Sequence, residues 1–91
     1  MKLIYKYELK VDDMQLVAMP AGAEILTVQA QRDTPCIWAL VDVDSPPATR
    51  MIETFGTGHE VYEDMGVDRK CLGTYQLRGG ALVFHVFERI N

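Results

Sequence analysis

Apolar and polar residues alternate from the start of the chain, with Leu3, Tyr5, Tyr7 and Leu9 on one face and Lys2, Lys6, Glu8 and Lys10 mostly on the other. A period of two marks a half-buried β-strand, because successive side chains on an extended backbone point to opposite sides. Asp12-Asp13 reads as a turn, and Met14 to Met19 forms a second apolar run that stops at Pro20-Ala21-Gly22-Ala23. These two runs are expected to pair as a hairpin. Glu24 to Gln31 is rich in β-branched and apolar residues and makes a third strand, which Arg32-Asp33-Thr34-Pro35 turns into a fourth, Cys36 to Val41. The prolines of Asp42-Val43-Asp44-Ser45-Pro46-Pro47-Ala48 place that acidic segment in a loop outside any ladder. Thr49 to Phe55 is a fifth strand ending at Gly56-Thr57-Gly58-His59, and the polar stretch from Glu60 to Lys70 after it has the weakest pattern in the chain. Cys71 to Leu77, the glycine turn Arg78-Gly79-Gly80, and Ala81 to Phe87 complete a last hairpin. No run is long and periodic enough for a helix. The pattern predicts an all-β fold, a small antiparallel β-sandwich or open barrel of about seven strands, in one domain over residues 1–91.

Two strands break the alternation. Ile37, Trp38, Ala39, Leu40 and Val41, and later Leu82, Val83, Phe84, Val86 and Phe87, are apolar on both faces. Only one face of a strand meets the core of so small a domain, so the other face needs a cover. The expected cover is another copy of the chain, giving a homo-oligomer. The alternative is that Asp42 to Ala48 and Glu60 to Lys70 fold over these faces.

Charge narrows the partners. Nine Lys plus Arg against 13 Asp plus Glu leave the chain mildly acidic, which argues against a surface that tracks a nucleic acid polymer. Small anions stay open because five arginines are present. Cys36 and Cys71 have no CxxC spacing and read as two buried free thiols, so neither a zinc knuckle nor a disulfide framework is indicated. The opening residues lack the continuous apolar stretch of a signal peptide, and no apolar run approaches the length of a membrane span. A cytoplasmic protein with no membrane contact is expected.

Candidate chemistry is sparse. Gly56-Thr57-Gly58-His59 lacks the Gly-Lys-Ser/Thr of a nucleotide loop. Its successive amides, with Thr57 and His59 as side-chain donors, still suit a small anion, although glycines that allow a sharp bend after a strand explain the same residues. His85 and Glu88 have the spacing of a helical metal pair, but on a strand an interval of three puts them on opposite faces. His85 otherwise reads as a hydrogen-bonded core residue. Trp38 suits stacking on a planar ligand, against the simpler reading of a core-filling indole. Arg50 and Arg78 are the candidate bidentate charges for an anion. No catalytic motif appears, and neither a metal nor a cofactor is implied.

Several short segments together resemble an uncharacterised family of short proteins encoded by tailed bacteriophages and prophages. They are Ile4-Tyr5-Lys6-Tyr7, the stretch from Met19 to Leu26, Trp38-Ala39-Leu40-Val41-Asp42, Gly56-Thr57-Gly58-His59, Gly73-Thr74, and the stretch from Gly79 to Glu88. The resemblance covers nearly the whole chain and implies a viral context, with no catalytic residues to transfer. The expectation is a non-enzymatic homo-oligomer that sequesters a small anionic, nucleotide-derived ligand, such as a host immune signal. Trp38, Arg50, Thr57, His59, Arg78 and His85 are its candidate ligand-binding residues. A protein-interaction or virion-assembly module, and a small hydrolase with His59 or His85 as general base, are the alternatives.

Overall fold

The computed structural model describes residues 1–62 and 66–90, so part of the Glu60 to Lys70 stretch lies outside the described residues. The strands are β1 (Lys2–Glu8), β2 (Met14–Pro20), β3 (Glu24–Gln31), β4 (Thr34–Asp42), β5 (Pro47–Gly56), β6 (Arg69–Leu77) and β7 (Leu82–Arg89). They form two antiparallel sheets packed as a sandwich, one ordered β1-β4-β3 and the other β2-β5-β7-β6. The chain passes between sheets after β1, β2 and β4.

The first two strands do not form the expected hairpin. β1 pairs with β4 and β2 with β5. Leu9 carries the chain across the core: its N–H donates to Pro35 O at 2.8 Å, which extends the β1–β4 ladder, and its side chain is buried. Asp13 O then accepts from Thr54 N at 3.0 Å, which opens the β2–β5 ladder. Gln15 holds the crossing in shape by bonding both the N–H and the carbonyl of Lys10. The hairpin between β3 and β4 forms as expected, and Arg32 and Asp33 at its turn both have positive φ, as a type I′ turn requires. Pro47 sits inside a strand after all, but as its first residue, opposite Pro20 at the end of β2, so no interior ladder bond is lost.

The core lies between the sheets. Ile37, Ala39 and Val41 of β4 point inward with Val28 of β3, facing Met19, Ile52, Val86, Tyr75 and Leu77 of the other sheet. Outward on β4 are Cys36, Trp38 and Leu40, so Trp38 is a half-buried residue of the sheet's outer face and not the core filler. Cys36 is buried but Cys71 is exposed, because it points outward from the edge strand β6. His85 and Glu88 do lie on opposite faces: His85 pairs laterally with Phe55 and Thr74, while Glu88 is buried on the core side beside Ile52.

The two doubly apolar strands resolve differently. On the outer face of β5 and β7, Phe55 and Phe87 meet edge to face at 5.7 Å, and Arg69 at the start of β6 covers Phe55 in part. Arg69 lies over the Phe55 ring, pairs with Glu53 at 2.7 Å and donates to Tyr62 O at 2.8 Å. The Asp42 to Ala48 loop does not do the same for β4. It turns at the sheet's end, where Asp42 and Asp44 meet the Met1 amino group.

Candidate functional site

Four connections converge at one end of the sandwich: Leu9 to Asp13, Arg32-Asp33, Thr57 to His59, and Arg78 to Ala81. Register places them there, since Glu8 pairs with Cys36, Gly56 with Phe84, and Leu77 with Leu82. Arg78 N donates to Asp33 Oδ1 at 2.8 Å, which ties the β3–β4 turn to the β6–β7 turn. In β-sandwiches such loop clusters are where binding residues concentrate, because a rigid scaffold presents them.

β5 outruns its neighbour. β2 begins at Met14 opposite Glu53, whereas β5 continues through Thr54 and Phe55 to Gly56. The unpaired flank opens a groove of about 310 Å³ lined by Asp13, Met14, Glu53, Thr54, Phe55, His59, Glu60 and Tyr62. A second hollow lies on the other side of His59, about 360 Å³ between Gly56, Thr57 and Ala81 to Phe84. His59 is thus the divider between two concave surfaces. Its position follows from a turn in which His59 N donates to Gly56 O at 3.0 Å and Gly58 adopts φ +86°, the value a type II turn requires at that place. The imidazole lies on Gly56 itself: a β-carbon there would stand 2.7 Å from His59 Cε1 and Nδ1.

The first groove is acidic on its polar side. Asp13, Glu53 and Glu60 line it and Asp12 lies in the adjoining hollow; among the described residues neither lining includes a lysine or arginine, but Arg69 borders the first by pairing with Glu53, lying over the Phe55 ring and donating to Tyr62 O, which leaves Asp13 and Glu60 as its unneutralised acids. Phe55 and Tyr62 supply aromatic walls. Thr54 borders the groove, and its Oγ1 is buried with no hydrogen-bond partner among the described residues. A buried hydroxyl left unpaired costs roughly 1–3 kcal/mol, so a ligand that bonds it recovers part of that cost.

His85 stands just behind the turn. Thr57 Oγ1 lies 2.7 Å from its Nε2 and Thr74 Oγ1 lies 3.1 Å from its Nδ1. A hydroxyl against an imidazole is the start of a nucleophile–base pair, but the third member here is another hydroxyl. It carries no charge to offset an imidazolium as a carboxylate does, so the trio differs from a hydrolase triad at the orienting position.

Of the six residues singled out from the sequence, Thr57, His59, His85 and Arg78 share this end of the molecule. Trp38 does not: it lies on the outer face of the other sheet between Lys6 and Thr27. Arg50 faces the core. Its Nε and Nη2 bond both carboxylate oxygens of Glu88 and its Nη1 donates to Ala23 O at 2.9 Å, so the guanidinium is held within the sandwich. The bond to Glu88 keeps Arg50 protonated to even higher pH than usual, against the opposing effect of burial. Sequence reading passed over Asp13, Thr54, Phe55, Glu60 and Tyr62. The adjacent acids at Asp12-Asp13 and a lone aromatic in a polar stretch were the available signals; nothing local signals the hydroxyl of Thr54.

A family model described as "Domain of unknown function (DUF7352)" matches residues 1–91. No curated protein and no solved structure matches the chain.

Proposed function

The chain belongs to the DUF7352 family, and we propose that it is a non-catalytic binding module whose loop end captures a ligand with a cationic group attached to an apolar or planar part. The observation that carries this reading is the groove beside His59. Carboxylates of Asp13 and Glu60, with no lysine or arginine among the described lining residues, favour a guanidinium or ammonium, and Tyr62, beside the Phe55 ring that Arg69 overlies, suits a planar or apolar neighbour. The unpaired Thr54 hydroxyl adds a hydrogen-bonding position.

A specific observation also favours the anionic, nucleotide-like ligand. The hollow on the far side of His59 has no carboxylate among its described lining residues, which include Thr57, Leu82 and Phe84. There an anion meets the Thr57 hydroxyl and the turn's amides, with planar parts against apolar walls. The phage setting implied by the sequence resemblance accords with this second reading.

One titration separates them. Amide resonances of the full chain are followed by NMR while either the amidated dipeptide Arg-Phe or a cyclic dinucleotide is added. The first reading expects the dipeptide to shift Asp13, His59 and Tyr62, and Gly56→Ala, which displaces the His59 ring, to weaken that response with little change in melting temperature. Shifts at Thr57 and Leu82 with the cyclic dinucleotide alone assign the site to an anion. No response to either probe at millimolar concentration overturns the binding-module reading at this end.

A further inference from the structure

We propose that β1 is a dimerisation edge, where a second copy of this chain adds its own β1 antiparallel about a twofold axis at Tyr5. The two three-stranded sheets then become one of six strands. This goes beyond the groove reading and does not depend on it.

β1 is the outer strand of its sheet, and every residue from Lys2 to Glu8 except Tyr7 is exposed. Apolar side chains stand open on both of its faces, Leu3 at 41 % and Tyr5 at 40 % on the core side and Ile4 at 61 % on the outer side. Exposed edges invite pairing, and proteins blunt them with proline, bulges, cover or charged side chains. β1 has no proline and no bulge, since its register with β4 runs unbroken from Lys2 to Glu8; it carries the charges of Lys2, Lys6 and Glu8, which oppose pairing only in registers that set like charges together. The other edges are blunted: β2 ends in Pro20, β3 carries a bulge at Leu26, and β6 is bulged between Cys71 and Gly73, with Gly73 packed against Val28.

The backbone of β1 is correctly poised. Leu9 N donates to Pro35 O and Met1 O accepts from Val43 N, so odd-numbered residues direct their polar groups at β4. The N–H and C=O groups of Lys2, Ile4, Lys6 and Glu8 therefore face the open edge. Under a twofold axis at Tyr5, Lys2 falls opposite Glu8 of the other copy and Ile4 opposite Lys6, as hydrogen-bonded pairs supplying about eight main-chain bonds.

Charge selects this register. Sliding by two residues one way sets Lys2 against Lys6, and the other way sets Lys6 against its own copy; only the alignment at Tyr5 opposes unlike charges at both ends. It also places Tyr5 beside Tyr5 and Leu3 beside Tyr7, which covers the apolar side chains that the four-stranded sheet leaves bare. The partner is thus a second copy, because β1 is complementary to itself.

Light scattering of the full chain at about 100 µM is expected to give twice 10.3 kDa. Ile4→Pro removes an N–H that bonds nothing within the chain, and is expected to give a monomer with an unchanged circular dichroism spectrum. Glu8→Lys, a surface change that leaves the fold intact, should raise the dimer dissociation constant about tenfold, and adding Lys2→Glu should restore it. With Cys71 replaced by serine, Tyr5→Cys should form a disulfide across the axis, since facing residues in a non-hydrogen-bonded pair approach most closely. A wild-type monomer at 100 µM overturns the proposal. So does a dimer insensitive to Glu8→Lys, or a charge reversal that Lys2→Glu fails to rescue.

Discussion

Tyr75 shows how one atom sets a pH limit. Its ring packs at 5.4 Å from Phe84 in the core, its hydroxyl is buried with no partner among the described residues, and burial pushes the phenol above its ordinary 10.0. The folded form therefore keeps a proton that the unfolded chain loses. Stability from this source is intact below pH 10 and falls as pH rises beyond it. Tyr75→Phe removes the unpaired hydroxyl while keeping the ring, so it is expected to raise stability by about 1 kcal/mol, a gain of several degrees in a domain of this size. It should also flatten the alkaline side of a plot of melting temperature against pH. A loss of stability in Tyr75→Phe would show that the hydroxyl is bonded, for instance by an ordered water.

At the scale of elements, a single ion pair joins three parts of the fold. Arg50 of β5 binds Glu88 of the neighbouring strand β7 on the core side of their sheet, reaches the β2–β3 connection at Ala23 O, and touches Met19 Sδ at 3.7 Å. The side chains are 22 % and 8 % exposed, so neither charge is well hydrated. Glu88→Gln leaves the guanidinium without a counter-charge and is expected to cost about 2–3 kcal/mol in urea unfolding, at or below the roughly 3–5 kcal/mol for fully buried pairs because Arg50 keeps some water contact. Replacing both together, Arg50→Met with Glu88→Leu, should return stability to within about 1 kcal/mol of the parent. A double variant as weak as the single one would mean that the bond to Ala23 O, not charge pairing, is what β5 needs. The pair also explains why Arg50 is unsuited to a ligand: releasing it would unseat the strand crossing as well.

For the whole molecule, the controlling quantity is the ratio of surface to core. The sandwich spans 40 × 37 × 16 Å and has a radius of gyration of 13.4 Å, against roughly 12.2 Å for a typical chain of this length. Its accessible surface is 5949 Å², against roughly 5,400 Å² for its mass. The exposed side chains of β1 contribute to the surface excess. A monomer of this shape has a thin margin of stability, and the pairing proposed at β1 would raise it by mass action. The melting temperature should accordingly climb by several degrees between about 5 and 500 µM protein, and stay flat in Ile4→Pro. A flat profile in the parent chain would show that the sandwich stands alone.

The sequence by itself determined the secondary structure and the class of fold. Seven strands stand where alternation and turn residues put them, with Glu24–Gln31 matching residue for residue, because period-two patterning and glycine or proline breaks are local properties of the chain. It also separated His85 from Glu88 and marked the turn at Thr57 and His59. Which strand pairs with which was decided by tertiary structure. A crossing such as Leu9 to Asp13 has the same turn residues as a hairpin, and only burial of Leu9 between the sheets distinguishes them. The same holds for Arg50, Trp38 and Cys71, whose roles depend on the face of the sheet that another strand or segment covers. The groove beside His59 was illegible for a related reason: it exists because β2 starts opposite Glu53 while β5 runs on to Gly56, and a difference in strand length becomes a cavity only when the strands lie side by side.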